Sequence, residues 1–440
     1  MKPLIDRRRL VLSGLAGGAL APLAGVRASA ASPAPPEAST PPRSFAPGDW
    51  NSVRDQFRLS RAYAQFAAFT FAAHPAGVRA AIATHRTKLD EDPSRYHREN
   101  ADRELAARVA AADYLGVRPL EVALTDSTTM GLAILYQGLR LRPGDEILTT
   151  RHDFHSTYEA LRQRALLTGA AVRRVSLYDD PAGVSSDQLT GRLLAAVTPR
   201  TRVLALTWVH SGTGVMLPIR MITDAVAGIN ARRDAADRIV VCVDGVHGFG
   251  ADDTAVADLG CDFFATGTHK WLYGPRGTGI LWGREDAWPL VQPIIPSFGW
   301  IREDPPPVVD PGLMATPGGF HTFEHRWALP EAFAFHASVG RDRIANRIRT
   351  QARQLKEGLA AIPGVRVATP HDDALSCGIV CFSVADRTPR QVVTRLESDH
   401  RVLADVTPYG GTLVRLGPSL VTDPQEVDRA VRAVAAITRH

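Results

Sequence analysis

Cysteine is scarce in this chain, with four in 440 residues and no C-x-x-C pair. A chain of this length buries an ample core without covalent staples, so no disulfide scaffold is expected. Cys377 and Cys381 stand four apart on one expected strand, which separates their Cα atoms by roughly 13 Å, beyond bridging distance. Fourteen histidines occur, yet no H-E-x-x-H or similar cluster gathers them, and no metal site is expected. Long hydrophobic runs are lacking too. The most apolar stretch, Leu10 to Val26, is 17 residues of mainly Gly, Ala and Leu, too short and too weakly hydrophobic for stable membrane insertion. Nor is there a concentrated basic face. Of the formal net charge of +5, the first 30 residues contribute four, from Lys2, Arg7, Arg8, Arg9 and Arg27 against Asp6. The remaining +1 gives no reason to expect a nucleic-acid partner.

Those first 30 residues do carry a pattern. Paired arginines, Arg7 and Arg8, precede the apolar stretch, and Ala28-Ser29-Ala30 makes an A-x-A cleavage site. Residues 1–30 therefore read as a twin-arginine signal peptide, with the twin-arginine translocase as a transient partner and a periplasmic or secreted destination. Residues 31–45 form a Pro/Ser/Ala tether expected to be disordered.

From about residue 76 to 300, apolar runs of strand length alternate with helical patterns such as Arg103–Tyr114 and Ser156–Thr168. Such alternation predicts an α/β fold with a mainly parallel sheet and helices on both faces. The stretch "FGWIREDPPPVVDPGLMATPGGF" can continue neither element, because proline and glycine punctuate it. It divides a large domain (76–321) from a smaller C-terminal α+β domain (322–440), with 46–75 packing beside the active-site mouth or the small domain. In the small domain, helices are expected at Pro330–Ile348 and Arg349–Ala361, and strands near Ile379–Phe382 and Thr412–Leu416.

The most informative window is Cys261 to Leu281, "CDFFATGTHKWLYGPRGTGIL". A buried strand delivers Lys270 to a loop, and small residues around it let a flat ligand approach the backbone. A buried lysine amine whose pKa is lowered can form a Schiff base. Position for position, the window resembles the Schiff-base lysine signature of class V aminotransferases, which carry pyridoxal 5'-phosphate (PLP). The resemblance covers roughly residues 50–438. In "LTDSTTMGL" and "HDFHSTYEAL" it is closest to the isopenicillin-N-epimerase-like branch, and among exported members it extends to the enzyme that tailors the pyoverdine siderophore.

What the resemblance implies can be followed around the cofactor. Fold type I is expected, as a homodimer with active sites near the interface. Asp244, at the end of "RIVVCVDGVHGFG" and 26 residues before Lys270, takes the place of the aspartate that keeps the ring nitrogen protonated; otherwise it caps the next helix. His247 stands where relatives hydrogen-bond the phenolic oxygen, and His269 precedes the lysine. Ser127, Thr128 and Thr129 resemble the phosphate turn, with hydroxyls and N–H groups at a helix N-terminus, although "DSTT" is also an ordinary cap. His152 is the expected stacking residue, with Phe154 and His155 as competitors. Arg415 matches the clamp on the substrate α-carboxylate, a task suited to a planar guanidinium, with a surface arginine as the bland alternative.

The chain also departs from the pattern. His210-Ser211 replaces an Asn that many relatives keep near the substrate, and Arg326-Trp327 falls where a Gly-Thr pair often reaches the neighbouring subunit's phosphate. The cysteine-bearing loop of the desulfurases is missing from "RVLADVTPYGGTLV". The expectation is an exported PLP enzyme acting at Cα of an amino acid or amino-acid-bearing metabolite, of aminotransferase or siderophore-tailoring type. An epimerase or C–S lyase is the alternative, and a non-catalytic PLP-fold binding protein is the rival from another class.

Overall fold

The computed structural model describes residues 45–299 and 309–439. The expected signal peptide and all but the last residue of the expected tether lie outside the described residues.

Seven strands make the larger sheet: β1 (Val122–Thr125), β2 (Glu146–Thr150), β3 (Ala171–Val175), β4 (Thr201–Thr207), β5 (Val240–Asp244), β6 (Phe263–Gly267) and β7 (Gly279–Gly283). Their spatial order is β1-β7-β6-β5-β4-β2-β3. Strands β2 to β6 are parallel, while β7 runs antiparallel to both β6 and β1. The central strands are buried along their whole length, as continuous apolar runs covered on both faces should be. Successive residues feed opposite cores. Phe264, Val243 and Leu206 point into one, and Phe263, Cys242 and Ala205 into the other. The edge strand β3 carries Arg173 and Arg174 and is only partly buried, which discourages pairing with another chain.

Because β7 reverses twice over, β1 points the same way as β6. The carboxyl ends of β1, β2, β4, β5 and β6 therefore share one edge, where open α/β sheets bind ligands.

The smaller sheet is antiparallel, with β8 (Val365–Val367), β9 (Val380–Val384), β10 (Asp405–Val406) and β11 (Val414–Leu416) in the order β10-β11-β9-β8. Phe382, Val392, Leu396, Val414, Leu416 and Val434 build its core. Residues Ala64–Gln65 pair in parallel with Val402–Leu403, so the N-terminal segment joins the small domain, and Phe69 and Thr70 continue to the cavity described below.

The expected helix boundary at Ile348/Arg349 is corrected. Helices span Leu329–Val339 and Arg341–Ala360, and the break falls at Gly340, whose φ of 95° ends the first helix. Glycine adopts that angle without a Cβ penalty. The cores also change hands inside the second of these helices. Ile344 and Ile348 belong to the large-sheet core, and Ala352, Leu355 and Leu359 to the small one.

Candidate active site

Strand β1 ends at Thr125 and turns into helix α1 (Thr128–Gly138). Ser127 caps it, its Oγ accepting from Met130 N at 3.1 Å, so the capping reading of this serine is realised. The cap leaves the buried Thr128 hydroxyl without a partner. Gly279 of β7 abuts this turn, since a Cβ there would come within 2.9 Å of the Ser127 carbonyl carbon. Ser127, Thr128 and Thr129 together line a cavity of about 140 Å³, at a helix end that favours an anion.

Asp244, Val246, His247, His269 and Lys270 line the same cavity. Asp244 is 2% exposed and accepts from Val246 N at 3.1 Å. Burial raises its pKa, opposed by the Val246 N–H and by Lys270. Lys270 follows β6, with its Nζ 3.3 Å from His247 Nε2. Burial lowers its pKa, Asp244 pulls the other way, and Arg415 adds to the lowering. A lysine so placed has a larger share of the neutral, nucleophilic amine near neutral pH. His247 is held neutral by burial and by the neighbouring cations, and its Nδ1 is buried without a partner. The pKa of His269 falls to about 4, by burial and then by Lys270.

The stacking expectation for His152 is not met. The His152 ring stacks on Tyr178, with centroids 3.8 Å apart and planes 12° from parallel, and its Nε2 accepts from Leu177 N at 3.2 Å. It does not line the cavity, whereas Phe154 does. The intervening Asp153 explains the direction of the bend. Its buried carboxylate accepts from Thr149 Oγ1, Thr150 N, Thr150 Oγ1 and Thr207 N, all at 2.7 Å. Pinned between β2 and β4, Asp153 commits its neighbours to opposite sides. His155 lies at the start of helix α2 (His155–Thr168), and its N–H donates to the Tyr409 hydroxyl.

A second cavity of about 670 Å³ adjoins the first and shares Phe154, Ser211, His247 and Lys270 with it. Arg415 of β11 lines it. Its side chain is held by Asp405 Oδ2 at 3.3 Å and the Ser211 carbonyl at 3.4 Å, and lies 4.2 Å over the Phe69 ring, while the buried Nε has no partner. Of the departing pair, Ser211 faces both cavities, and His210 turns away to hydrogen-bond Tyr178 at 2.9 Å. Arg326 is 3% exposed and bonds within its own chain to Glu104 at 3.3 Å and Asp126 at 3.1 Å. Its guanidinium is therefore committed to two carboxylates of its own chain.

Sequence reasoning passed over Thr207, whose buried hydroxyl lines the smaller cavity without a partner. Its position at the end of β4 was the available signal. Tyr409 was passed over as well. It sits at φ 62° beside Gly410 and Gly411 on a loop that lines the larger cavity.

These donors fit PLP. Buried, unpartnered atoms on Thr128, Thr207 and His247 surround a small cavity with an anion-favouring helix end, a buried carboxylate and a lysine amine, and such atoms are costly unless a ligand satisfies them. The family model described as Aminotransferase class-V matches residues 83–405. The chain belongs to the class-V aminotransferase family.

This class-V chain is 29% identical over 348 residues to isopenicillin N epimerase of Streptomyces clavuligerus, covering 76% of the chain and 84% of that relative. It is also 30% identical over 273 residues to a probable cysteine desulfurase of Xylella fastidiosa, covering 60% of the chain and 61% of the relative. Its fold is PLP fold type I. A complex of the cystine C–S lyase C-DES with cysteine persulfide aligns with TM-score 0.75 at 22% identity, covering 85% of this chain and 97% of that one. The apo cysteine desulfurase of Thermococcus onnurineus aligns at 0.76 and 20% identity, covering 88% and 98%.

Proposed function

We propose that this class-V chain is an exported PLP enzyme that moves a proton at Cα of an amino acid or amino-acid-bearing metabolite, in transamination or siderophore-type tailoring. The observation that carries the reading is the position of Lys270 where the two cavities meet. Behind it lie the Ser127–Thr129 turn and Asp244, and ahead of it lies Arg415. When bound, the cofactor withdraws electrons from Cα and weakens the bonds there.

Each residue then has a separate task. The Ser127–Thr129 turn would hold the phosphate, with the Thr128 hydroxyl as a donor. Asp244 would keep a proton at the ring nitrogen, His247 would donate to the phenolic oxygen, and Phe154, which lines the same cavity, would pack against the ring. Arg415 grips the substrate carboxylate, which turns the Cα–H bond towards Lys270, and the Lys270 amine takes that proton and returns it. All four cysteines are buried and none lines either cavity, which counts against persulfide transfer to an enzyme thiol.

Epimerisation is the second reading, favoured by Tyr409. An epimerase has to deliver a proton from the face opposite Lys270, and Tyr409 brings a phenol to the larger cavity beside Phe154, ring centroids 5.4 Å apart. The named function of the Streptomyces clavuligerus relative agrees with it.

Incubation with candidate amino acids in deuterated water separates the readings. Deuterium entering Cα without an amino acceptor, with retained configuration, supports the first. Inversion supports the second, and no incorporation with any α-amino acid would contradict both. Assaying periplasmic and cytoplasmic fractions separately tests export in the same experiment, since activity confined to the cytoplasm would contradict it.

A further inference from the structure

The larger cavity is far roomier than a simple amino acid requires, and its charge is lopsided. About 670 Å³ falls in the range of pockets that enclose ligands of drug size. Apart from Lys270, which the cofactor would occupy, two guanidiniums line it, Arg390 and Arg415, against the single carboxylate of Asp405. Asp405 is already engaged, by Arg415 at 3.3 Å and by Thr70 Oγ1 at 3.2 Å. Arg390 lines the cavity at its solvent-exposed rim and has no hydrogen-bond or ion-pair partner among the described residues.

The backbone at Arg390 points to the same chemistry. The 12-residue helix Pro389–His400 begins here, capped by Thr388, whose Oγ1 accepts from Gln391 N at 3.3 Å while its carbonyl accepts from Val392 N at 3.2 Å. Pro389 has no N–H. The Arg390 N–H is thus the donor left over in the first turn, and the turn contains no acidic residue. A guanidinium, an open N–H and the positive end of a helix dipole coincide on the cavity wall, each favouring an anion. Independently, Arg415 is buried on the same cavity and its Nε lacks a partner.

We propose that the cavity is built for an α-amino acid bearing a second carboxylate several bonds from Cα, with Arg415 taking the α-carboxylate and Arg390, at the open end of its helix, taking the distal one. The assignment rests on the reading of Arg415 and Lys270 given above. It makes Arg390 a specificity-determining residue. Amino acids ending in an alkyl chain leave this charge unanswered, and the correct substrate neutralises it.

The test titrates the absorbance of the PLP-loaded enzyme with L-glutamate, L-2-aminoadipate, L-2-aminopimelate and L-2-aminosuberate, each against the straight-chain monocarboxylic amino acid of matching length. At the best length, the diacid is expected to bind at least tenfold more tightly than its partner. Arg390→Gln, a change at an exposed side chain, should bring the diacid down to the monoacid's level. Ratios near one at every length, or a ratio that survives Arg390→Gln, would overturn the proposal while leaving the Cα chemistry standing. A cofactor spectrum that responds to none of these amino acids would overturn the α-amino acid reading and this proposal with it.

Discussion

Arg415 works where little water competes with it. Ringed by Phe69, Asp405 and the Ser211 carbonyl, its guanidinium is fixed before any substrate arrives. A fork held in this way binds a carboxylate with two parallel hydrogen bonds, which an ammonium cannot reproduce. Arg415→Lys is therefore expected to weaken amino-acid binding by ~1.5–3 kcal/mol, the scale of a hydrogen bond to a charged group, read from a titration of cofactor absorbance. An unchanged affinity would remove Arg415 from the site. At this scale the sequence was legible at Lys270, Asp244 and Thr128, which stand at or within three residues of a strand's carboxyl end and so at the ligand edge. It was not legible at His152 and Phe154. Two residues apart in one bend, they are sorted by Asp153, whose bond to Thr207 N spans 54 positions of chain, and no local pattern encodes that contact.

The β1–α1 unit divides two jobs between adjacent hydroxyls. Ser127 spends its oxygen on Met130 N, while Thr128 is buried and uncommitted. Removing the cap by Ser127→Ala should cost about 1 kcal/mol of folding stability, measured by urea unfolding. Removing the uncommitted donor by Thr128→Val should instead lower PLP affinity by about three- to tenfold, the worth of one hydrogen bond, measured by release on dialysis. If Thr128→Val retained the cofactor as well as the wild type, the phosphate turn would have to lie elsewhere. Both roles were readable from "DSTT", although the division between them was not. The Gly340 break was misplaced for a related reason. Gly340 was itself a stop signal in the sequence, but only the observed φ of 95° shows that the helix ends there rather than running through it.

At the scale of the whole molecule, alternating apolar runs and helical patterns foretold an α/β fold with a smaller domain behind it. They could not foretell that β7 would enter antiparallel between β1 and β6, because strand order depends on contacts distant in sequence. The finished core also sets a pH dependence. His210 and His336 are wholly buried, and burial pushes each down to about 3. A lowered pKa means that the unfolded chain takes up the proton first, so stability is full above about 6.5 and is lost as pH falls towards 3. Between pH 6.5 and 5 each neutral histidine should cost about 1.5 kcal/mol. The raised pKa of Asp244 works in the opposite sense, stabilising the fold at low pH. The urea midpoint of the cofactor-free protein is expected to drop over this range, and a flat midpoint would contradict the buried neutral histidines.

The central claim is that Lys270 carries PLP at the junction of the two cavities. Borohydride reduction of the purified protein followed by peptide mapping tests it most directly. A pyridoxyl group on Lys270, with a colourless and inactive Lys270→Ala protein, is the predicted result. Label on another lysine, or turnover by Lys270→Ala at the wild-type rate, would contradict the account.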